Sequence, residues 1–182
     1  MIMTDSSRTT WDYEELNYIE NTLLRHIKEN PGIRYRELLR LSNLSNGVLT
    51  YHLALFEKSY RIKVDRNKNN KMTRYYPNDV PTEQTSIIGY IRQDATMQII
   101  SFILENDLCS FNEIVEHTKK APSTISWHLK RLKEAGITSV QSGQYHLYHI
   151  KDREMVAEVL HKYKQSFIDK VVDNYTKIMK EL

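Results

Sequence analysis

Cysteine is almost missing from this sequence. Cys109 stands alone among 182 residues, so no disulfide can form within the chain and a thiolate-based zinc site has no ligand set. The lone thiol is read as a small buried hydrophobe. Glycine is scarce as well, at five residues, and none sits in a cluster able to cradle a phosphate, which removes the P-loop and dinucleotide fingerprints. No apolar run approaches the roughly 18–20 residues of a membrane span, and the polar stretch Met1–Thr10 lacks the apolar core of a secretion signal. A cytoplasmic protein without a membrane partner is expected. Ser, His and Asp occur without a nucleophile elbow or a glycine-rich oxyanion loop, so no catalytic residue, no cofactor and no enzymatic activity are expected. A strong excess of one charge is also missing. Lys and Arg number 26 against 23 Asp and Glu, a net charge of +3, and any charged partner must be inferred from where the cations sit. What the chain does have is 40% hydrophobic residues, enough for packed cores, and a length that suits two small domains.

The sequence repeats itself at an offset of 76 residues. Glu29 meets Glu105, Asn30 meets Asn106, Glu37 meets Glu113, His52 meets His128, Leu53 meets Leu129 and Val64 meets Val140. Conservative pairs fill the spaces: Leu23/Ile99, Leu24/Ile100, Ile27/Ile103, Tyr35/Phe111, Leu38/Ile114, Leu49/Ile125, Tyr51/Trp127 and Phe56/Leu132. Helical periodicity alone would supply the apolar matches but not the polar ones, so the repeat is read as a duplication.

Each half carries the same order of elements. In the first, Leu16, Ile19, Leu23, Leu24 and Ile27 fall at helical spacing between Trp11 and Asn30, and Asn30-Pro31-Gly32 stops the helix. A short helix is predicted over about Arg34–Leu41. A third, capped by Ser45, runs from about Asn46 to Ser59. Strands are predicted over Arg61–Arg66 and Thr73–Tyr76, around the turn Asn67–Asn70. The second half repeats this with helices over about Asp94–Asn106, Phe111–Thr118 and Pro122–Gly136, Pro122 suiting a first helical position. Its strands are predicted over Ile137–Gln141 and Tyr145–Ile150. The reading gives a first domain over 11–77, a linker with a short connecting helix over 78–93, a second domain over 94–150 and a C-terminal helix over 151–182. The fold class is mainly α, with small β-hairpin wings: two tandem winged helix-turn-helix domains plus a long terminal helix.

Three helices and a hairpin in this order describe a winged helix. The motif Leu49-Thr50-Tyr51-His52-Leu53 and its copy Ile125-Ser126-Trp127-His128-Leu129 resemble the recognition helices of the ArsR/MarR-like superfamily, and the chain is most similar to its archaeal tandem winged-helix regulators. The resemblance spans about residues 20–150. It implies a transcription regulator that binds double-stranded DNA through the third helix of each domain, with the wings on the backbone or in the minor groove, and it often gives the position of His52 and His128 a part in the contact. A half-buried structural histidine is the alternative at both.

The faces of those helices agree. Over residues 123–134, Ile125, Leu129 and Leu132 share an inner face at 100° per residue. Ser123, Trp127, Lys130 and Glu134 lie opposite, with Thr124 and Arg131 beside them and Ser126 at the boundary. Hydroxyls, cations and an exposed aromatic can meet phosphates and base edges in a major groove; an ordinary solvated face is the alternative, and domain packing is the plain explanation for Trp127. The first helix offers Asn46, Thr50 and Tyr51, but Ala54 and Leu55 where the second has Lys130 and Arg131. Its hairpin makes up the charge, since Glu57–Tyr76 holds Lys58, Arg61, Lys63, Arg66, Lys68, Lys71 and Arg74 against Glu57 and Asp65. A basic wing suits phosphates or a narrow minor groove, with Arg66, Lys68, Lys71 and Arg74 the candidate contacts. His146 and His149 are three apart on a strand and point to opposite faces, so no metal site is expected.

In the C-terminal helix, Asp152 is the candidate N-cap. Val156, Leu160, Tyr163, Phe167, Val171, Tyr175, Ile178 and Leu182 form a stripe in steps of three and four, about 45 Å long at 1.5 Å per residue. A winged-helix domain is too small to cover it, so a homodimer is expected through Val156, Leu160, Tyr163, Phe167, Val171 and Ile178; folding back over its own domains is the alternative. A tandem winged-helix component of a basal transcription or chromosome-organising complex, binding mainly protein, is the competing function. A small-molecule effector is a third possibility that the sequence does not locate.

Overall fold

The computed structural model describes residues 6–67, 72–143 and 145–163. The chain divides into two compact units, Met1–Pro81 and Thr82–Leu182. The first runs α1 (Ser6–Glu29), β1 (Ile33–Arg34), α2 (Tyr35–Ser42), α3 (Asn46–Lys58), β2 (Ile62–Asn67) and β3 (Met72–Pro77). The second runs α4 (Thr82–Ile91), α5 (Asp94–Asn106), β4 (Cys109–Ser110), α6 (Phe111–Thr118), α7 (Pro122–Glu134), β5 (Thr138–Ser142) and β6 (His146–Ile150). A last helix, α8, covers 153–163 of the described residues. Each unit is a winged helix with a three-stranded antiparallel sheet, in the order β1-β3-β2 and β4-β6-β5.

The duplication holds element by element. The offset of 76 carries β1 onto β4, α2 onto α6 and α3 onto α7 without a gap. In the sheets, Val64 faces Tyr75 and Val140 faces Tyr148, so the returning strand is shifted by 73 and the second hairpin is shorter by three. The apolar pairs of the repeat are the cores. Leu23, Ile27, Leu38, Leu49, Leu53 and Phe56 are buried in the first unit, and Ile99, Ile103, Ile114, Ile125, Leu129 and Leu132 in the second, each side chain removed from water contributing on the order of 1.5–3 kcal/mol. Cys109 takes the place of Ile33, pairing with Tyr148 as Ile33 pairs with Tyr75. Burial first, then the Glu113 and Asp107 carboxylates, pushes its thiol pKa up, so it serves as a hydrophobe.

The polar identities of the repeat also do structural work. Asn30 Nδ2 donates to the His26 carbonyl and Asn106 Nδ2 to the Phe102 carbonyl, both at 2.8 Å, adding a side-chain donor near the C-terminal end of α1 and of α5. Glu113 completes a capping box with Ser110 at the start of α6. Ser45 caps α3 by accepting from Val48 N, and Pro122 opens α7, both as the sequence indicates.

Two boundaries differ from the sequence reading. The strands β1 and β4, two residues each, are too short to show period-2 alternation, yet they complete the sheets. The stretch over 78–93, read as a linker with a short connecting helix, is helical from Thr82 to Ile91 as α4. In α4, Gln84, Ile87, Ile88, Gly89, Tyr90 and Ile91 are buried, and the helix packs against α5. The apolar run Ile87–Ile91 thus belongs to the core of the second unit, which begins at Thr82 rather than Asp94.

Candidate nucleic-acid interface

In the second unit, α7 presents Ser123, Ser126, Trp127, Lys130, Lys133 and Glu134 to solvent, with Thr124 and Arg131 half-buried. Trp127 is 53% exposed. Its ring is held from two sides: the Arg131 guanidinium lies 4.4 Å from its centroid, and the His128 ring meets it edge-on at 4.8 Å. The same guanidinium lies 5.4 Å from the Tyr90 ring of α4, and Tyr90 Oη donates to the Arg131 carbonyl at 3.3 Å. Arg131 is therefore a brace between α4 and Trp127 as well as a surface cation.

In the first unit, Asn46, Thr50 and Tyr51 are exposed on α3. The Tyr35 hydroxyl gathers two of them, lying 3.1 Å from the Asn46 carbonyl, 3.2 Å from Asn46 Oδ1 and 3.0 Å from Thr50 Oγ1. Tyr35 was not singled out by the sequence; its counterpart Phe111 has no hydroxyl, so the repeat hides the role.

Several candidate contacts are buried or already paired. His52 and His128 are buried, 2% and 8% exposed. His52 Nδ1 sits 4.0 Å from Glu20 Oε1, and His128 Nδ1 is buried without a hydrogen-bond partner among the described residues. Desolvation, followed by the Arg131 and Lys120 charges, holds the His128 imidazole below the usual histidine range. Arg74 is buried and donates to the Gly32 carbonyl at 2.7 Å. Arg66 is exposed but forms a two-pronged pair with Glu57 at 2.5 Å; that pairing, above all its hydrogen bonds, lowers the Glu57 pKa and raises that of Arg66. Arg61 pairs with Glu20, and Lys63 donates to the Val80 carbonyl at 2.6 Å. Arg61, Lys63, Arg66 and Arg74 are thus engaged within their own unit. Lys68 and Lys71 lie outside the described residues. The sequence count of charges could not foresee this, because it records sign and not partner.

The homologous place in the second unit is open. Ser126, Leu129, Lys130 and Lys133 of α7, with Val140 and Ser142 of β5 and His146 and Tyr148 of β6, line a cleft of about 360 Å³ between helix and wing. At the repeat offset, Lys133 stands where Glu57 does and Ser142 where Arg66 does. An ion pair bridges helix and wing in one unit, and two lysines that have no carboxylate partner among the described residues line the same place in the second. Lys133 was missed by the sequence reading, although it follows Lys130 by three on one helical face.

Val156, Leu160 and Tyr163, expected at a dimer interface, are already buried within the single chain at 1%, 6% and 7% exposure. Asp152 caps α8 by accepting from Met155 N at 3.0 Å. Phe167, Val171 and Ile178 lie outside the described residues. No helix among the described residues is long and apolar enough to cross a membrane.

Residues 96–140 match the family model of the arsR family of bacterial regulatory proteins, and residues 16–59 match that of winged helix-turn-helix DNA-binding domains. An uncharacterized HTH-type transcriptional regulator of Methanocaldococcus jannaschii is 27% identical over 138 residues, 75% of this chain and 34% of the relative. The chain therefore spans about a third of that relative's length. Among solved structures, HlyU from Vibrio cholerae is similar at 19% identity, covering 46% of this chain and 90% of its own, with a TM-score of 0.40. The transcriptional repressor BigR from Xylella fastidiosa is similar at 17% identity, covering 45% and 84%, with a TM-score of 0.40. The chain is thus a tandem of two winged-helix units, the first similar to winged helix-turn-helix DNA-binding domains and the second to the arsR family of bacterial regulatory proteins.

Proposed function

We propose that the chain binds double-stranded DNA sequence-specifically as a homodimer, with α7 of the second unit as the principal reading helix. The carrying observation is the contrast between the two homologous helix–wing surfaces. Among the described residues, Lys130 and Lys133 make no ion pair or hydrogen bond, and Ser123, Ser126 and Trp127 stand exposed beside them. In the first unit Arg61, Arg66, Arg74 and Lys63 have partners of their own. Free cations supply the salt-dependent grip on phosphates, and short hydroxyls near the helix N-terminus reach base edges. The homodimer rests on the apolar stripe that continues through Phe167, Val171 and Ile178. Selection of a preferred duplex from a random pool tests this reading. The selected site should bind at least about a hundredfold tighter than a scrambled duplex; equal affinity for both would remove sequence-specific recognition.

A second reading applies to the first unit alone. On α3, Val48, Tyr51 and Leu55 form an exposed apolar stripe, 38%, 63% and 38% exposed, and Lys58 is the one cation of that helix. Such a face suits a protein partner better than phosphates. An unchanged DNA affinity on replacing Tyr51 and Leu55 with Ser would favour it.

A further inference from the structure

We propose that Tyr90 and Arg131 are positioning residues for DNA recognition: together they hold the exposed Trp127 ring in one orientation on α7, and the sequence preference of that helix depends on them. This rests on the reading of α7 as the DNA-facing helix.

A break in the repeat makes the arrangement. At the offset of 76, Ser6–Glu29 of the first unit corresponds to Thr82–Glu105 of the second. The first stretch is one continuous helix, α1, whereas the second is two, α4 and α5. The interruption falls at Gln93, whose φ of −105° and ψ of 119° are extended. With the helix interrupted there, α4 packs against α5 and Tyr90 meets α7. Tyr90 is buried, and its Oη donates to the Arg131 carbonyl at 3.3 Å. Its counterpart on α1 is Glu14, which is exposed.

From Tyr90 the contacts run outward to the surface. The Arg131 guanidinium lies 5.4 Å from the Tyr90 ring and 4.4 Å from the Trp127 ring, and the His128 ring meets Trp127 edge-on. An indole half in water has several rotamers open to it. A planar cation over its face and a ring at its edge leave it few. The guanidinium suits this stacking because it is flat, whereas an ammonium is a point charge. In the first unit Tyr51 stands in the place of Trp127 and also meets its histidine edge-on, at 5.3 Å. Leu55 stands in the place of Arg131 and carries no cation. The second unit alone has the brace.

An aromatic side chain ordered before binding loses less entropy on binding. Held in one pose, it fits the groove of a matching site and gains nothing on a mismatched one, so the brace favours the preferred duplex over others. Tyr90 lies on α4, outside the helix-turn-helix, and acts through Arg131. The effect on discrimination is roughly two- to fivefold, the scale of one exposed cation–π contact.

The test uses the full chain carrying Trp11→Phe, so that Trp127 is the one tryptophan left. Compared with it are Tyr90→Leu, Tyr90→Phe and Arg131→Lys, the last keeping the charge while removing the flat guanidinium. Fluorescence anisotropy decay without DNA reads the freedom of the Trp127 ring. Affinity for the preferred and for a scrambled duplex, over a range of salt, reads discrimination. Tyr90→Leu and Arg131→Lys should loosen the ring and lower discrimination by roughly two- to fivefold, with the salt slope unchanged. Tyr90→Phe, which keeps the aromatic face, should stay close to the parent in both. Should Tyr90→Leu fail to fold, Arg131→Lys carries the same comparison. A ring no looser in Arg131→Lys, or a looser ring with discrimination intact, overturns the proposal and leaves the reading of α7 standing. Intact discrimination in Arg131→Lys, with a slope lowered by roughly one unit in Arg131→Gln, overturns it in favour of a phosphate contact by Arg131. A parent chain that binds both duplexes equally overturns the reading of α7 and the positioning role with it.

Discussion

Tyr60 and Gly136 hold the same place in the two repeats, just past the end of α3 and of α7, and both have a positive φ, 55° and 71°. Glycine adopts that backbone freely, whereas a side chain meets its own carbonyl there. Tyr60 is 80% exposed, so it gains little packing in return. Tyr60→Gly should therefore stabilise the first unit by about 1 kcal/mol, and Gly136→Tyr should destabilise the second by a similar amount. Urea midpoints read the difference; an unaltered midpoint for Tyr60→Gly would mean that the tyrosine offsets its strain through contacts of its own. His128 gives a residue-scale effect of pH. Its folded imidazole titrates below the usual range, chiefly because it is buried. The unfolded chain therefore binds the proton first, at about pH 6.5. The stability this group contributes is fully present above that pH and is lost as pH falls toward the lower folded value. His128→Leu should flatten the loss between pH 7 and pH 5.5 in urea titrations, and an equal slope in wild type and variant would contradict the account. Glu113 acts in a separate window. Its hydrogen bonds from the Ser110 backbone and hydroxyl hold its carboxyl below the usual range, so its contribution persists through pH 5.5 and is lost only as pH falls through the folded carboxyl's own range.

At the scale of elements, most of the architecture was legible in the sequence, because helices of eight or more residues with an apolar face announce their period. α5 and α6 span Asp94–Asn106 and Phe111–Thr118, the ranges the spacing predicts, and Ser45 and Pro122 mark true helix starts. What was not legible depends on partners distant in sequence. The two-residue strands β1 and β4 exist because β3 and β6 offer them hydrogen bonds. The burial of α4 required knowing that Ile87, Ile88 and Ile91 have a core to join. In the site, exposure of Ser126, Trp127 and Lys130 followed from helical phase, but the fate of the first-wing cations did not: Arg74 turns inward to Gly32 and Arg66 to Glu57. His52 and His128 sit at the flank of the core stripe, where phase alone leaves burial undecided. An element-scale prediction follows for the clefts. Replacing both Lys130 and Lys133 with Gln should lower the salt slope of duplex binding by roughly one unit for each phosphate no longer neutralised. Arg66→Gln should leave the slope nearly unchanged because its charge is already answered by Glu57. The reverse order would place the phosphate-binding cations on the first wing.

At the scale of the whole molecule, the C-terminal stripe begins inside the core of the single chain. Val156, Val159, Leu160 and Tyr163 are buried in the single chain, so Leu160→Ala should cost on the order of 2–4 kcal/mol of stability in the second unit. The continuation through Phe167, Val171 and Ile178 carries the homodimer proposed above. Removing residues 165–182 should leave both units folded and turn a dimer into a monomer by sedimentation; full-length chain that sediments as a monomer at tens of micromolar would exclude the dimer. The duplication itself sets the central claim, because each unit is the control for the other. The most direct measurement compares two variants, Ser126→Ala/Lys130→Ala in α7 and Thr50→Ala/Tyr51→Ala in α3, for affinity to the preferred site and to a scrambled duplex. The account predicts that the α7 variant sacrifices roughly 1–3 kcal/mol of discrimination for each base edge it can no longer reach, while the α3 variant keeps most of its preference. A greater drop in specificity for the α3 variant would contradict it and make the neutral helix of the first unit the reader.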